Sequence, residues 1–470
     1  MNSVPSPVSK IESHSPPRVG PEGSSPAGGW RLLFRRLVGP TARSTGLSLV
    51  DQAVVSGTSF ATTILLGRIS EKEISAQELG LYSLGFSLLL VGLTALQTLV
   101  MTAYTIHNPR VEGRARAELV GVALAQSLLL SAVVMLAMVL AAGVAGVVRN
   151  WGSFGLLLWS LAAVVPPVFL REFCRRFAFA HMRMDIALGL DATVAALQLG
   201  ALAALFVGRS LSAVSAYLAL GAACGVGSLA CLAATRPKLL LRWRQVVPVW
   251  RRNASLGGWF FADQLFAVAN GYFSNWLLAC MLGTAATGAY AACISLVLFS
   301  NPFILGLSNV LMPRTARASA EGGIAEVHRV VRSATLVIVP VMAAFSSLLT
   351  VFSSQLLHLL YKGNYDGHGQ IVAVLAWAGF ISSLSIPLTY SFLAVERADV
   401  LPKTKVLRVA AGVAASVFLI RNCNDALMGA ALGLLLGETV GVLSMFFYSH
   451  RVLAAVGRGR RPDSFAEPRL

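Results

Sequence analysis

Four acidic side chains, Asp51, Asp191, Asp263 and Glu438, stand inside apolar runs long enough to cross a membrane. A charge at the bilayer centre costs at least about 2.5–3.5 kcal/mol on insertion scales, so such residues face a partner or a watery cavity. Asp51, Thr58 and Thr62 lie at i, i+7 and i+11, one face of a helix, and Asp263, Asn270 and Ser274 repeat that spacing. A carboxylate backed by hydroxyl and amide groups can take up H+ or Na+ and line a hydrophilic path. It can equally bond to a neighbouring helix and never meet solute. The matched spacing predicts two polar stripes facing each other across a central cavity, with Gln52 and Gln264 beside the acids. Asp191 and Gln198 share a face at i and i+7, and Glu438 lies between Gly437 and Gly441; each reads as a secondary ion relay or as a packing hydrogen bond. The six cysteines and seven histidines lack ligand spacing. No catalytic set, metal or cofactor is expected, with H+ or Na+ the only coupling ions in view.

The elements that must hold these residues are helices. Of 470 residues 56% are apolar and 13% charged, against about 45–50% and 25% for soluble globular chains. Apolar runs recur over 46–67, 79–104, 118–147, 152–171, 185–208, 211–235, 255–281, 285–311, 333–360, 370–395, 404–421 and 426–450, each close to the length a helix needs to span about 30 Å of hydrocarbon. No ten-residue alternation suggests a barrel. The expected fold class is an all-α polytopic membrane protein of about 12 transmembrane helices.

The formal charge of +17 reports topology rather than a nucleic-acid partner, because no basic module accompanies it. With these spans, 32 Lys and Arg fall in the tails and even-numbered connections against 6 on the other side, which places both termini in the cytoplasm. Residues 1–40 read as a Pro-, Ser- and Gly-rich disordered tail plus a short interfacial helix at Trp30–Val38. The basic stretch 236–254 reads as a cytoplasmic linker between six-helix bundles over 41–235 and 255–452, and 453–470 as a cytoplasmic tail.

The two bundles read as a repeat. A shift of 212 residues sets Asp51-Gln52 on Asp263-Gln264, Thr58 on Asn270, Phe60 on Tyr272 and Thr62 on Ser274, and Gly80-Leu-Tyr82 matches Gly288-Ala-Tyr290 near the start of the next span. Six spans separate the copies, so the repeats run parallel, related by an axis along the membrane normal. Pro166-Pro167, Asn301-Pro302, Pro340 and Pro387 mark expected kinks.

Asp51-Gln-Ala-Val-Val-Ser56-Gly-Thr-Ser-Phe60, Leu65-Leu-Gly-Arg68 and Glu78-Leu-Gly-Leu-Tyr82 resemble the opening of polysaccharide (Wzx-type) flippases of the multidrug/oligosaccharidyl-lipid/polysaccharide (MOP) exporter superfamily. Gly288-Ala-Tyr290 through Asn301-Pro302 to Asn309-Val-Leu-Met-Pro313-Arg314 is similar to their second half. The likeness covers residues 41–455, although Ser59 replaces an expected Asn and no ring of arginines within the spans is visible. It implies a bacterial inner-membrane protein that carries a polyprenyl-diphosphate-linked oligosaccharide from the cytoplasmic to the outer leaflet by alternating access. Membrane lipids, a polysaccharide polymerase and glycosyltransferases are its implied partners. The diphosphate would meet cations near the cytoplasmic mouth: Arg43, Arg171, Arg175, Arg251, Arg252 or Arg314. A cation-coupled drug exporter of the same superfamily would use a first-half acid in much the same way. A membrane-embedded polymerase or glycosyltransferase fits less well, since the outer connections are short and no residue set forms a catalytic constellation.

Overall fold

In a computed structural model each apolar run forms a helix. The structure describes residues 40–147, 152–236, 240, 242–395, 397 and 399–457, so the tail and interfacial helix expected before residue 40 lie outside the described residues. We number the helices α1 (Pro40–Gly67), α2 (Lys72–Arg110), α3 (Gly113–Val147), α4 (Gly152–Ala180), α5 (Met184–Val207), α6 (Ala213–Thr235) and α7 (Trp243–Leu282). The stretch Thr284–Tyr361 folds back at Gly323, whose φ of 61° and ψ of −153° suit glycine alone; its arms, 284–322 and 324–361, are α8 and α9. Then come α10 (Gly369–Ala394), α11 (Val400–Asn422) and α12 (Ala426–Gly457). Among the described residues there is no strand.

Among the described residues nine stretches are long and apolar enough to cross a membrane. One of them holds both α8 and α9, and α1 and α11 bring the total to the expected twelve. Asp51, Gln52 and several hydroxyl residues dilute α1, whereas Lys403, Lys405, Arg408 and Arg421 interrupt α11. The basic linker is helical from Trp243 onward and runs straight into the seventh span. Leu240 N donates to the Ala117 carbonyl at 3.1 Å and Gln126 Nε2 to the Val246 carbonyl at 3.0 Å, fastening this segment to α3.

The irregularities follow from missing donors. Pro302 cannot donate to the Leu298 carbonyl, and a 3-10 turn occupies Leu298–Ser300. Pro387 cannot donate to Ser383, and α10 breaks at Leu384. By contrast α4 continues through Pro166-Pro167. Within α2 a break has no proline: a π-turn at Gln97–Met101, where the Gln97 carbonyl accepts from Thr102 Oγ1 at 2.8 Å.

Lipid is as apolar as leucine, so close backbone approach and polar contacts hold the helices together. Gly429, Gly433, Gly437 and Gly441 recur every fourth residue along α12, and the first three lie against Leu419, Ser416 and Gly412 of α11. The two halves meet in the same way where α2 crosses α8. A β-carbon on Gly80 would strike the Thr284 carbonyl, and one on Gly288 would strike the Ala76 carbonyl. Polar contacts surround this crossing at the end of the helices away from the basic connections. Arg68 donates to the carbonyls of Leu360 (2.5 Å) and Leu359 (2.9 Å), and Asn364 Nδ2 to those of Gly67 (3.0 Å) and Ile69 (2.9 Å). Asn275 Nδ2 donates to Ser83 Oγ at 2.6 Å and Trp276 Nε1 to Ser87 Oγ at 2.9 Å.

Candidate functional site

Each half encloses a cluster of two acids and two bases. In the first half α4 presents Arg171 and Arg175 one turn apart, the first of them four residues beyond Pro167. Arg171 reaches Asp191 Oδ1 on α5 through Nη2 (2.6 Å) and Nε (3.0 Å). Arg175 bridges two helices, with Nη2 2.5 Å from Asp51 Oδ2 on α1 and Nε 2.8 Å from Asp191 Oδ2. Its guanidinium also lies over the Phe179 ring, 5.2 Å from the centroid. Asp51 and Asp191 are buried to 2% and 1% exposure, and Asp51 Oδ1 has no hydrogen-bond partner among the described residues. Beside them the buried Glu172 accepts from Gln97 Nε2 of the π-turn at 3.1 Å and from Arg176 Nε at 2.8 Å.

The second half repeats the balance with other helices. Lys405 Nζ on α11 lies 2.6 Å from Asp263 Oδ1 on α7, both side chains being 29% exposed. Arg408, three residues on, pairs with Glu438 Oε2 of α12 at 3.1 Å, and Asn270 Nδ2 donates to Glu438 Oε1 at 2.9 Å. Gly437 and Gly441 leave the room that Arg408 fills. The glycines flanking Glu438 are therefore part of the site.

The acids are where the sequence placed them, but the two stripes do not face each other. Each turns into its own half, because that is where the partner cations sit. Thr58 and Thr62 are buried and return their hydroxyls to the carbonyls of Val54 and Thr58, and Gln198 Nε2 donates to Thr62 Oγ1 at 3.3 Å. Ser274 is buried beside Tyr290, just as Thr62 lies beside Tyr82, so the matched Gly-x-Tyr residues pack alike in both halves. Gln52 bonds to Ser56 within α1, and Gln264 is exposed. Asp191 and Glu438, expected as secondary residues, are central members of the two clusters.

Of the six candidate arginines only Arg171 and Arg175 join a cluster. Arg251 and Arg314 are exposed, and the side chains of Arg43 and Arg252 lie outside the described residues. Lys405 and Arg408 were missed as partners of the acids. Both fall at the start of the eleventh apolar run and were counted with the basic connection before it. Their signal was the spacing of three on one face of a helix whose neighbours carry acids. Among the described residues no group of acids, histidines or cysteines could hold a metal.

Chemically, each cluster is an exchangeable set of ion pairs. An incoming anion can replace a carboxylate on an arginine, an incoming cation can replace the base on a carboxylate, and protonation of Asp51 removes one of the two partners of Arg175. Where the pair is buried, as Arg175 and Asp51 are, such an exchange can bias a conformational equilibrium.

No protein-family model and no curated protein matches the sequence. Solved structures do match. A multidrug resistance MATE family transporter of the MOP superfamily in an inward-facing conformation aligns over 87% of this chain and 96% of its own, at 14% identity and a TM-score of 0.73. The fold is that of the MOP transporters. An outward-facing conformation of such a transporter gives 0.63 at 14% identity, covering 89% and 96%. A MOP superfamily transporter from Pyrococcus furiosus, whose binding pocket is described as having reverse polarity suggesting a different function, gives 0.64 at 13%, covering 88% and 96%. Its long apolar helices make the chain a multi-pass membrane protein, and its fold is the one these structures share.

Proposed function

We propose that this protein is an alternating-access transporter of an anionic amphiphile, with a polyprenyl-diphosphate-linked oligosaccharide as cargo, carried from the cytoplasmic to the outer leaflet of a bacterial inner membrane. The observation that carries this reading is that each of the four acids Asp51, Asp191, Asp263 and Glu438 already has an internal base. Asp51 and Asp191 share Arg175 and Asp191 also holds Arg171, while Asp263 holds Lys405 and Glu438 holds Arg408. A cationic drug would have to displace a tethered guanidinium or ammonium from its carboxylate. A diphosphate likewise displaces a carboxylate, but in exchange it gains bidentate pairing with guanidinium groups, which a drug cation has no counterpart for. The released Asp51 or Asp263 then takes up a proton or Na+, which couples cargo to a cation gradient. Both termini and the basic connections face the cytoplasm in this account. The clasp around Gly80 and Gly288 then closes the outer end and leaves the cytoplasmic side to load, in keeping with the higher TM-score to the inward-facing neighbour. A lipid-linked substrate of this class is made by glycosyltransferases and used by a polymerase, which become the functional partners.

A second reading, a cation-coupled multidrug exporter, is favoured by the solved neighbours described as multidrug resistance transporters. Equilibrium binding to the purified protein separates the two. On the flippase reading a polyprenyl-diphosphate sugar quenches tryptophan fluorescence saturably, and a lipophilic dye cation neither binds nor competes. Saturable binding of the cation without binding of the diphosphate gives the site to the exporter.

A further inference from the structure

A crevice of about 380 Å³ lies between the two arms of the α8–α9 hairpin, outside both ion-pair clusters. Its floor is apolar, with Leu307 and Leu311 from one arm and Val337 from the other. Its end toward Gly323 carries Arg314, Arg329 and Ser333. Arg314 and Ser333 make no side-chain hydrogen bond or ion pair among the described residues. Arg329 gives only Nη1 to Glu326, leaving Nη2 and Nε without a described partner. One acid thus stands against two guanidinium groups and a hydroxyl, a local excess of positive charge. From Arg314 to Leu307 the helix rises about 10 Å, enough for the glycerol backbone and upper acyl chain of a phospholipid. Val310 and Val337, at the crevice edge, are 43% and 46% exposed; within spanning helices such a face meets lipid.

We propose that this crevice is a binding site for an anionic phospholipid of the surrounding bilayer. The phosphodiester sits between Arg314, Arg329 and Ser333, and one acyl chain lies along Leu307, Leu311 and Val337. Basic pockets between membrane helices at the cytoplasmic end suit such headgroups. A lipid there fastens the two arms of a hairpin that otherwise leaves the crevice unfilled. It acts on the second half alone and does not depend on which cargo the protein carries.

The test uses the full-length protein in detergent, with phosphatidylglycerol or phosphatidylcholine added and read by thermal unfolding and by native mass spectrometry. Phosphatidylglycerol is expected to raise the unfolding midpoint more than phosphatidylcholine and to be retained as a bound species. Arg314→Ala with Arg329→Ala is expected to lower its apparent affinity roughly 5- to 30-fold and to abolish the preference. Arg317→Ala, which removes a guanidinium paired with Glu321 on the same arm, is expected to keep it. Equal stabilisation by the two lipids, or an unchanged preference in the folded double variant, would overturn the proposal. So would a polyprenyl diphosphate that displaces phosphatidylglycerol in the wild type but not in the double variant, since the crevice would then belong to the cargo.

Discussion

Gly80→Ala is the sharpest perturbation of the contact between the halves. A β-carbon there would lie far inside contact distance of the Thr284 carbonyl oxygen and 3.0 Å from the Gly288 nitrogen, and the reciprocal change at Gly288 would meet Ala76 and Gly80 in the same way. Backbone opposes backbone, so no rotamer change relieves the overlap and α2 must part from α8. Overpacking of this kind costs about 1–3 kcal/mol. Charged only to the state in which the two helices touch, it moves the equilibrium toward the state open at this end by about 5- to 150-fold. The assay is a distance distribution between spin labels at Ser70 and Leu282, both exposed near this end and in opposite halves. Gly80→Ala is expected to populate longer distances, whereas Gly271→Ala, with open space around it, leaves the distribution alone. An unchanged distribution in a folded Gly80→Ala protein would refute the reasoning.

Other outcomes follow from the same contacts. Arg68→Ala removes two charge-assisted hydrogen bonds between the halves, worth about 1.5–3 kcal/mol each at most, and is expected to lengthen the same distances; Asn364→Ala acts in the same direction with a smaller effect. Arg175→Met strips Asp51 of its only described base and is expected to destabilise the protein by about 3–5 kcal/mol. Adding Asp51→Asn should recover part of that loss in a thermal melt, and strict additivity would show that the two side chains do not interact. At the turn before α11, hydrogen bonding by Arg397 holds the Asp399 carboxyl below its ordinary value of 3.8. The folded value being the lower one, the pair contributes fully above pH 4 or so and loses its contribution as pH falls through the depressed value. The effect is at most about 1 kcal/mol because the pair is exposed. Melts between pH 7 and 3 should show a slightly shallower acid slope for Asp399→Asn than for the wild type.

Much of the fold was legible because lipid imposes simple rules. Every spanning segment must be long, apolar and internally hydrogen-bonded, so twelve runs gave twelve helices. The repeat was legible for a related reason. Gly80 and Gly288 each lie where two backbones touch, which only glycine permits, so the pair stood out in both copies. The acids were visible because a charge in an apolar run is costly. Their pairing with bases was not. Arg171, Arg175, Lys405 and Arg408 lie near span ends, where a base inside the protein and a base at the membrane surface look the same in sequence. The direction of the stripes was misjudged on that account, since a carboxylate turns toward whichever base the tertiary structure supplies. The π-turn at Gln97, which brings its amide to Glu172, and the clasp of Arg68 and Asn364 on backbone carbonyls depend on long-range contacts that no local spacing encodes.

The most direct test of the central claim is transfer of a fluorescent polyprenyl-diphosphate oligosaccharide between leaflets of proteoliposomes containing the purified protein. Protein-dependent transfer that Asp51→Asn and Asp263→Asn impair is the expected result. No transfer by the wild type, together with expulsion of a cationic dye from the same vesicles, would contradict it.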